Sequence, residues 1–156
     1  MADAGSVRAA DSTSLETIQK AHEGTMPQAA LQEVMNQVKA AKSGYSCKLV
    51  TAAGGLFYCN FAVEADDGLG GKYNWNNNNW GIGTIGGGAG GGTLYTDYTM
   101  EAIARLTVRD SVTVTPVSVL ATFHAEDSTL LGTLVAGGYY APAYAFTGGG
   151  SGKWAK

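Results

Sequence analysis

The 156-residue chain is poor in charge, and its charges never gather into a run of one sign. It has 10 lysines and arginines against 13 aspartates and glutamates, a formal net charge of −3 and a pI near 5.2. Nucleic-acid-binding domains carry a basic patch or stripe. The composition therefore argues against DNA or RNA as a partner.

Long hydrophobic runs are missing too. No stretch approaches the roughly 18 to 20 apolar residues that a membrane-spanning helix needs. Met1 is not followed by the basic region and apolar core of a secretory signal. We expect a protein that is released without a recognisable signal peptide, with the cytoplasm as the alternative location.

Cysteine and histidine are scarce, with two residues of each. Cys47 and Cys59 have no further cysteine or histidine cluster to complete a metal site. His124 lies close in sequence to Glu126 and Asp127, but adjacent strand residues point to opposite faces and the acids fall in a turn. We therefore expect no enzyme activity, no cofactor and no metal.

Glycine, in contrast, is abundant, and its distribution divides the chain near Gly44. Of the 23 glycines only Gly5 and Gly24 precede that position, so helix-permissive sequence gives way to strand-and-turn sequence. We place a disordered start and an amphipathic helical segment in residues 1–43, and a glycine-rich β domain in residues 44–156. The chain length suits one core.

The helical segment carries one apolar stripe. After Thr25 and Pro27, which suit the start of a helix, apolar residues recur at helical spacing: Leu31, Val34, Met35, Val38 and Ala41. The polar face is mixed, which favours packing against the barrel or a second copy over membrane insertion. The candidate membrane or partner contacts are Leu31, Val34, Met35 and Val38, and a homo-oligomer through these helices stays open.

The glycine-rich part reads as two similar units. Residues 61–71 are echoed by 122–132, and each copy runs on to a glycine cluster, at 86–92 and 148–150. These clusters lack the lysine and following helix of a phosphate loop, so we interpret them as geometric. Two antiparallel units can close on each other. The prediction is a mainly β fold, a compact antiparallel eight-stranded β-barrel of two four-strand units, with one short helix between them.

The first unit begins with a predicted hairpin, in which strands 45–50 and 56–64 flank Thr51 to Gly55. If Thr51 opposes Gly55, then Cys47 opposes Cys59 at a separation that suits a disulfide. A reduced buried pair is equally open, because a slip of one residue would separate the sulfurs.

A second predicted hairpin has its turn within Asn76 to Asn79, between strands 72–75 and 80–85. Asparagine turns need no ligand. Aromatic rings beside amides would nevertheless suit stacking on a sugar ring with hydrogen bonds to its hydroxyls. The candidate glycan contacts are Tyr73, Trp75, Asn77, Asn78 and Trp80.

Several motifs, taken in order, resemble the virulence-associated proteins of pathogenic rhodococci. They are Leu56-Phe57-Tyr58, Tyr95-Thr96-Asp97, Thr115-Pro116-Val117, Leu130-Leu131-Gly132-Thr133 and Gly148 to Trp154. The resemblance covers roughly residues 44–154. It implies a compact eight-stranded barrel, no established enzymatic activity and secretion, and for some members action on host phagosomal or lysosomal membranes. The helical segment, the paired cysteines and the Trp75 to Trp80 hairpin depart from the family's pattern.

Two functions follow as hypotheses. The first is a non-enzymatic, virulence-associated or toxin-like effector that acts at a host or target-cell membrane surface or a surface receptor. The alternative is a small carbohydrate-binding module that uses the aromatic and asparagine hairpin.

Overall fold

The computed structural model describes Gln19, Lys20, His22 and residues 27–84, 86–140 and 144–156. Its elements are α1 (Gln28–Ala40), β1 (Ser43–Asp66), β2 (Lys72–Thr84), β3 (Gly87–Thr96), α2 (Met100–Leu106), β4 (Arg109–Val114), β5 (Ser118–His124), β6 (Leu130–Tyr140), β7 (Tyr144–Ser151) and β8 (Trp154–Ala155). The expected disordered start at residues 1–10 lies outside the described residues.

The strands form one antiparallel sheet in the order β1-β3-β6-β5-β4-β7-β2-β8. Pairing between β1 and β2 closes the first seven of these strands into a barrel. The short β8 pairs only with Asn74 and Trp75 of β2 and lies outside the ring. Closure removes the exposed strand edges that an open sheet would present. The predicted mainly β, antiparallel barrel is confirmed.

β1 is far longer than any other strand, at 24 residues, because it serves two neighbours. Its first half pairs with β3 and its second half pairs with β2. Between the halves the chain turns back on itself, since a Cβ built on Gly54 would stand 2.9 Å from the Cα atom of Cys59. The two halves of β1 therefore lie side by side and act as two strands of the barrel wall.

With β1 counted as two strands, the two predicted units share one topology. In the first unit, β3, the first half of β1, its second half and β2 lie in the order 4-1-2-3, the Greek key order. In the second unit, β7, β4, β5 and β6 lie in the same order. The repeated sequences at 61–71 and 122–132 both lead from the second strand of a unit to the third.

The turn within β1 corrects the predicted hairpin register. A register with Thr51 opposite Gly55 would place Cys47 opposite Cys59, but the chain reverses about three residues later, so that Gly54 lies against Cys59. Cys47 instead pairs with Gly92 of β3. The six residues from Ala53 to Cys47 place the two sulfurs roughly 20 Å apart at about 3.3 Å per residue. Both cysteines are free and buried, and a disulfide between them does not fit this register.

Burial also makes both thiols poor nucleophiles. It raises the pKa of Cys47 to about 12 and that of Cys59 to about 11. Since the thiolate is the reactive form, both residues act as small apolar side chains of the core at neutral pH.

The turn predicted within Asn76 to Asn79 is wrong. β2 runs through this segment without interruption, and each of its asparagines pairs with a residue of β1. Residues 73, 75, 77 and 79 are buried inside the barrel, and the intervening ones face outward. Asparagine is a weak strand former, but the register imposed by Tyr73 and Trp75 decides which amides enter the barrel.

Glycine lines both places where the two units meet, the β3–β6 seam and the β2–β7 seam. At the first, a Cβ added to Gly88, Gly90 or Gly92 would lie 2.0 to 2.1 Å from a backbone oxygen of β6. At the second, a Cβ on Gly81 would lie 2.0 Å from the Thr147 oxygen. The backbones approach more closely than side chains would allow. The interpretation that the glycine clusters allow neighbouring backbones to approach is confirmed. We did not, however, predict that the first cluster forms strand β3.

The helix α1 packs on the outside of the barrel. Its stripe forms a second apolar cluster with three residues of the barrel wall: Leu31, Val34, Met35, Val38 and Ala41 pack with Tyr95, Leu120 and Val135. The side-chain amide of Gln37 donates to the Tyr95 carbonyl at 3.3 Å. The four candidate membrane or partner contacts are therefore covered by the protein's own barrel.

We predict that Gly90→Ala destabilises the fold, whereas Gly55→Ala does not. The Cβ on Gly90 would meet the Gly137 oxygen at 2.1 Å, while a Cβ on Gly55 meets nothing within 4 Å. Urea unfolding should show a loss of about 1–3 kcal/mol in the free energy of unfolding for Gly90→Ala and little change for Gly55→Ala. Equal stability of the two variants would show that the seam tolerates side chains.

Candidate functional surface at the uncharged end of the barrel

The barrel register gathers the chain reversals at two ends. One end holds the turn at 54–58, the β4–β5 turn at 115–117 and the termini of β2, β3, β6 and β7. The other end holds the turns at 67–71 and 125–129, helix α2 and the C-terminus. We call these the apolar end and the charged end.

The names reflect how charge is distributed along the strands. Residues 49–63, 73–96, 111–123 and 128–152 contain no Asp, Glu, Lys or Arg. From residue 43 onward, Lys48 is the one charged residue that does not belong to the charged end. Each antiparallel turn at the apolar end joins two uncharged segments, so the strands and turns of this end carry no charge. The N-terminal segment also reaches this end, since His22 Nε2 lies 2.9 Å from the Ser118 hydroxyl, and Lys20 is exposed two residues before it.

Large apolar side chains are exposed at this end. Leu56 is 70% exposed, Phe57 60%, Ile82 77%, Val117 61% and Tyr139 74%. Single exposed apolar residues are common on protein surfaces, whereas their collection at one uncharged end is not. Leu56, Phe57 and Val117 lie on equivalent hairpins of the two units, and Ile82 and Tyr139 lie near the ends of β2 and β6.

Phe57 has a backbone conformation that its own side chain does not favour. Its φ of 62° lies in the left-handed region, where bulky residues are rare and strained. The ring gains little burial in return, since most of it is exposed. Neither local preference nor packing within the chain accounts for a phenylalanine at this position.

Behind the apolar residues, the outer face of β1 and β2 becomes aromatic and then amide-rich. Tyr58 pairs with Trp80 across the ladder, with ring centroids 5.4 Å apart. Next along the strands, Asn60 donates from its amide to the oxygens of Asn76 at 3.0 Å and Asn78 at 3.1 Å. We call the outward side chains of Asn60, Asn74, Asn76 and Asn78 the amide face.

The structure divides the predicted glycan contacts between two sides of the sheet. Tyr73, Trp75 and Asn77 are buried in the barrel, whereas Asn78 and Trp80 face outward. Trp75 packs its ring against Phe123 and Trp154. The predicted set therefore does not form one surface, because strand alternation separates its members.

The buried members form a polar network with Asp110. Trp75 donates from its indole nitrogen to Asp110 Oδ2 at 3.1 Å, and Asn77 donates to Asp110 Oδ1 at 2.9 Å. Asn79 donates to the Asn77 oxygen at 3.2 Å. The carboxyl group is nearly fully buried, and this burial raises the pKa of Asp110 despite the hydrogen bonds that favour its charged form.

The groups considered for catalysis have structural partners. His124 contacts the Thr122 hydroxyl with Nε2 at 2.8 Å and the Ser128 carbonyl with Nδ1 at 3.4 Å. Asp67 accepts from the backbone nitrogens of Leu69 and Gly71, and Asp127 accepts from Thr129. The acids therefore close their own turns. Within the described ranges, no cluster of His, Cys, Asp or Glu is arranged to hold a metal ion.

Sequence reasoning missed Leu56, Phe57 and Ile82 as surface residues and Asp110 as a buried acid. The absence of charge from long segments was a signal for the first three. Asp110 gave no signal, because its surroundings come from β2 and β7. Neither α1 nor α2 is long and apolar enough to cross a bilayer.

Comparison with known proteins identifies relatives of this fold. A family described as Rhodococcus equi virulence-associated protein matches residues 5–155. The solved structure of the virulence-associated protein VapD from Rhodococcus equi superposes with a TM-score of 0.64 at 24% identity, covering 72% of this chain and 96% of that one. VapB from the same organism gives a TM-score of 0.59 at 22% identity, with the same coverage. No curated protein sequence matches the chain.

We predict that Asp110→Asn removes the part of the pH dependence of stability that Asp110 contributes, because an amide does not titrate. The folded pKa of Asp110 is raised above 3.8. Between pH 3.8 and that folded pKa, the folded state therefore holds a proton that the unfolded state has released. Stability therefore increases as the pH falls through the folded pKa towards 3.8. The change in stability across this window is about 1.4 kcal/mol for each pH unit between the two pKa values, and it is absent from the Asn variant.

Melting temperatures of the two proteins, measured in parallel between pH 7 and pH 4, test this. His22 acts in the opposite direction, because burial lowers its pKa to about 4 and stability is lost as the pH falls from 6.5 to that value. Both proteins contain His22, so the difference between them isolates Asp110. A difference independent of pH would contradict the raised pKa.

Proposed function

This chain belongs to the Rhodococcus equi virulence-associated protein family, and from that premise we propose that it is a non-enzymatic effector that acts at the surface of a target-cell membrane. The apolar end of the barrel is the contact surface. The observation that carries the proposal is the coincidence of exposed apolar side chains with an absence of charge from the strands and turns at one end of the barrel.

Membrane contact accounts for the chemistry of this end. Exposed leucine, phenylalanine and isoleucine side chains are costly in water and favourable at the boundary of the acyl chains. A charged residue at the same level would oppose insertion, and none of the strand segments that meet here contains one. The opposite end, with the acids of both repeated turns, stays in water.

The aromatic pair supports the same orientation. Trp80 lies two residues behind Ile82 on β2, which is about 7 Å along a strand. Apolar faces of peripheral proteins enter a bilayer to roughly 5–10 Å. Tyr58 and Trp80 would thus lie at the headgroup level, where amphipathic aromatic rings are enriched.

The strained backbone at Phe57 also supports the proposal. A phenylalanine held at positive φ and left exposed lowers the stability of the fold, and packing within the chain does not offset that cost. Burial of the ring in a bilayer would offset the cost with a favourable transfer free energy on the order of 1.5–3 kcal/mol for a side chain of this size.

A non-enzymatic role is consistent with the hydrogen bonding of the titratable groups. His124 contacts a hydroxyl and a carbonyl, and Asp67 and Asp127 accept from backbone nitrogens of their own turns. Among the described residues, the Thr122 hydroxyl is the group next to His124, and the imidazole is held by a backbone carbonyl rather than by the carboxylate of a hydrolytic triad.

We predict that Leu56→Asp weakens vesicle binding and that Leu69→Asp does not. Leu69 is 84% exposed but lies in the turn at the charged end, so it is a matched control. Co-sedimentation with phosphatidylcholine vesicles should show at least a tenfold rise in the dissociation constant for Leu56→Asp, since about 1.4 kcal/mol is lost with the buried side chain.

The same titration should depend only weakly on salt, because the strand segments at the contact carry no charge. Binding that weakens steeply with salt, or that Leu69→Asp impairs as strongly as Leu56→Asp, would contradict the apolar end as the contact. Failure of the unsubstituted protein to bind neutral vesicles would overturn the proposed function.

We further predict that Phe57→Gly separates stability from binding. Glycine adopts a φ of 62° without steric cost, so the free energy of unfolding should stay the same or rise by about 1 kcal/mol. Vesicle binding should fall, because the ring is lost. Parallel urea unfolding and co-sedimentation check both parts, and unchanged binding would exclude Phe57 from the contact.

A further inference from the structure

The amide face adjoins the aromatic pair on the side away from the apolar end. We propose that this face binds the sugar headgroup of a neutral glycolipid in the membrane that the apolar end contacts. The inference rests on the proposed function and adds the class of lipid that is recognised.

The hydrogen bonds within the amide face orient its groups for a ligand. Because the Asn60 amide nitrogen donates to the oxygens of both Asn76 and Asn78, those oxygens point towards β1. Their amide nitrogens then point away from Asn60, and both side chains are exposed. Two donors spaced two residues apart on one strand suit the hydroxyl groups of a sugar ring, which accept and donate hydrogen bonds.

An aromatic surface stands beside these donors. Trp80 is 65% exposed and follows Asn78 on the outward side of β2. Tyr58 supports the indole at 5.4 Å between ring centroids. The apolar face of a pyranose ring can cover the exposed part of Trp80 while its hydroxyls reach Asn78.

A shallow depression extends the surface along the same strands. It has a volume of about 120 Å³ and is lined by Leu49, Ala62, Val63, Glu64, Asn74, Trp75 and Asn76. Leu49 is 48% exposed on its rim. The depression is too small for a whole oligosaccharide and offers room for part of one sugar unit next to the amides.

The absence of charge selects a neutral headgroup. Anionic phospholipids are recognised by clusters of lysine and arginine, and the amide face contains neither. Glu64, which lines the depression, pairs with Lys72 at 3.4 Å, and the exposed Lys48 directly precedes Leu49 of the rim. Neutral hydroxyl groups match the neutral amides, whereas a phosphate would meet no cation here.

Position along the barrel also fits a lipid-borne sugar. Asn78 lies four residues behind Ile82 on β2, roughly 13 Å along the strand at 3.3 Å per residue. With the apolar end at the acyl boundary, the amide face stands just outside it, at the level of sugars that project from a glycolipid. A soluble glycan would gain nothing from the neighbouring apolar end.

The test compares vesicles of phosphatidylcholine alone, with galactosylceramide, and with phosphatidylserine. The unsubstituted protein should bind the galactosylceramide vesicles about tenfold more tightly than the other two, as expected for two hydrogen bonds of about 0.7 kcal/mol each. The double variant Asn76→Ala, Asn78→Ala should bind all three equally, at the level of phosphatidylcholine.

Two further variants keep the result interpretable. Asn36→Ala removes an exposed amide from α1 and should leave the preference intact. Asn78→Gln keeps an amide at the site and should retain part of the preference. Circular dichroism melting curves confirm that each variant folds.

The outcomes separate this inference from the proposed function. Equal binding to all three vesicles by the unsubstituted protein overturns glycolipid recognition and leaves membrane contact standing. A galactosylceramide preference that survives in the double variant overturns the amide face as its site. Binding to no vesicle overturns both proposals.

Discussion

The whole barrel depends on the close approach of backbones at the two seams between its repeated units. Each unit ends in a strand whose glycines leave no Cβ between it and the neighbouring strand, and any added Cβ at Gly88, Gly90 or Gly92 would overlap a backbone oxygen. Neither unit could bury its apolar face alone. Closure through the seams supplies the common core, and every other feature of the barrel is arranged around it.

One consequence of this closure is a molecule with two unlike ends. Because every strand is antiparallel to its neighbours, the turns of both units meet in equivalent positions. The turns at one end carry the acids of both repeats, and the hairpins at the other carry Leu56, Phe57 and Val117. A difference between the ends of single strands thereby becomes a difference between two faces of the protein, which is the basis of the proposed membrane contact.

The amide face shows how strand alternation can divide one run of residues between two roles. Asn77 and Asn79 enter the barrel and bond within the network of Asp110, while Asn76 and Asn78 remain outside and bond to Asn60. The inner pair stabilises a buried carboxyl group. The outer pair lies beside Trp80 on a neutral surface, where the same chemistry is available to a ligand.

The sequence by itself determined the mainly β fold, the duplication, the geometric use of glycine and the amphipathic helix, since each is encoded in local periodicity and composition. It did not determine the register of β1, so the pairing of Cys47 with Cys59 stayed open, nor the straight path of β2 through Asn76 to Asn79. Those depend on which strand lies next to which, and only the closed tertiary structure decides that. The apolar end likewise exists only after closure, because it is assembled from turns that are distant in sequence.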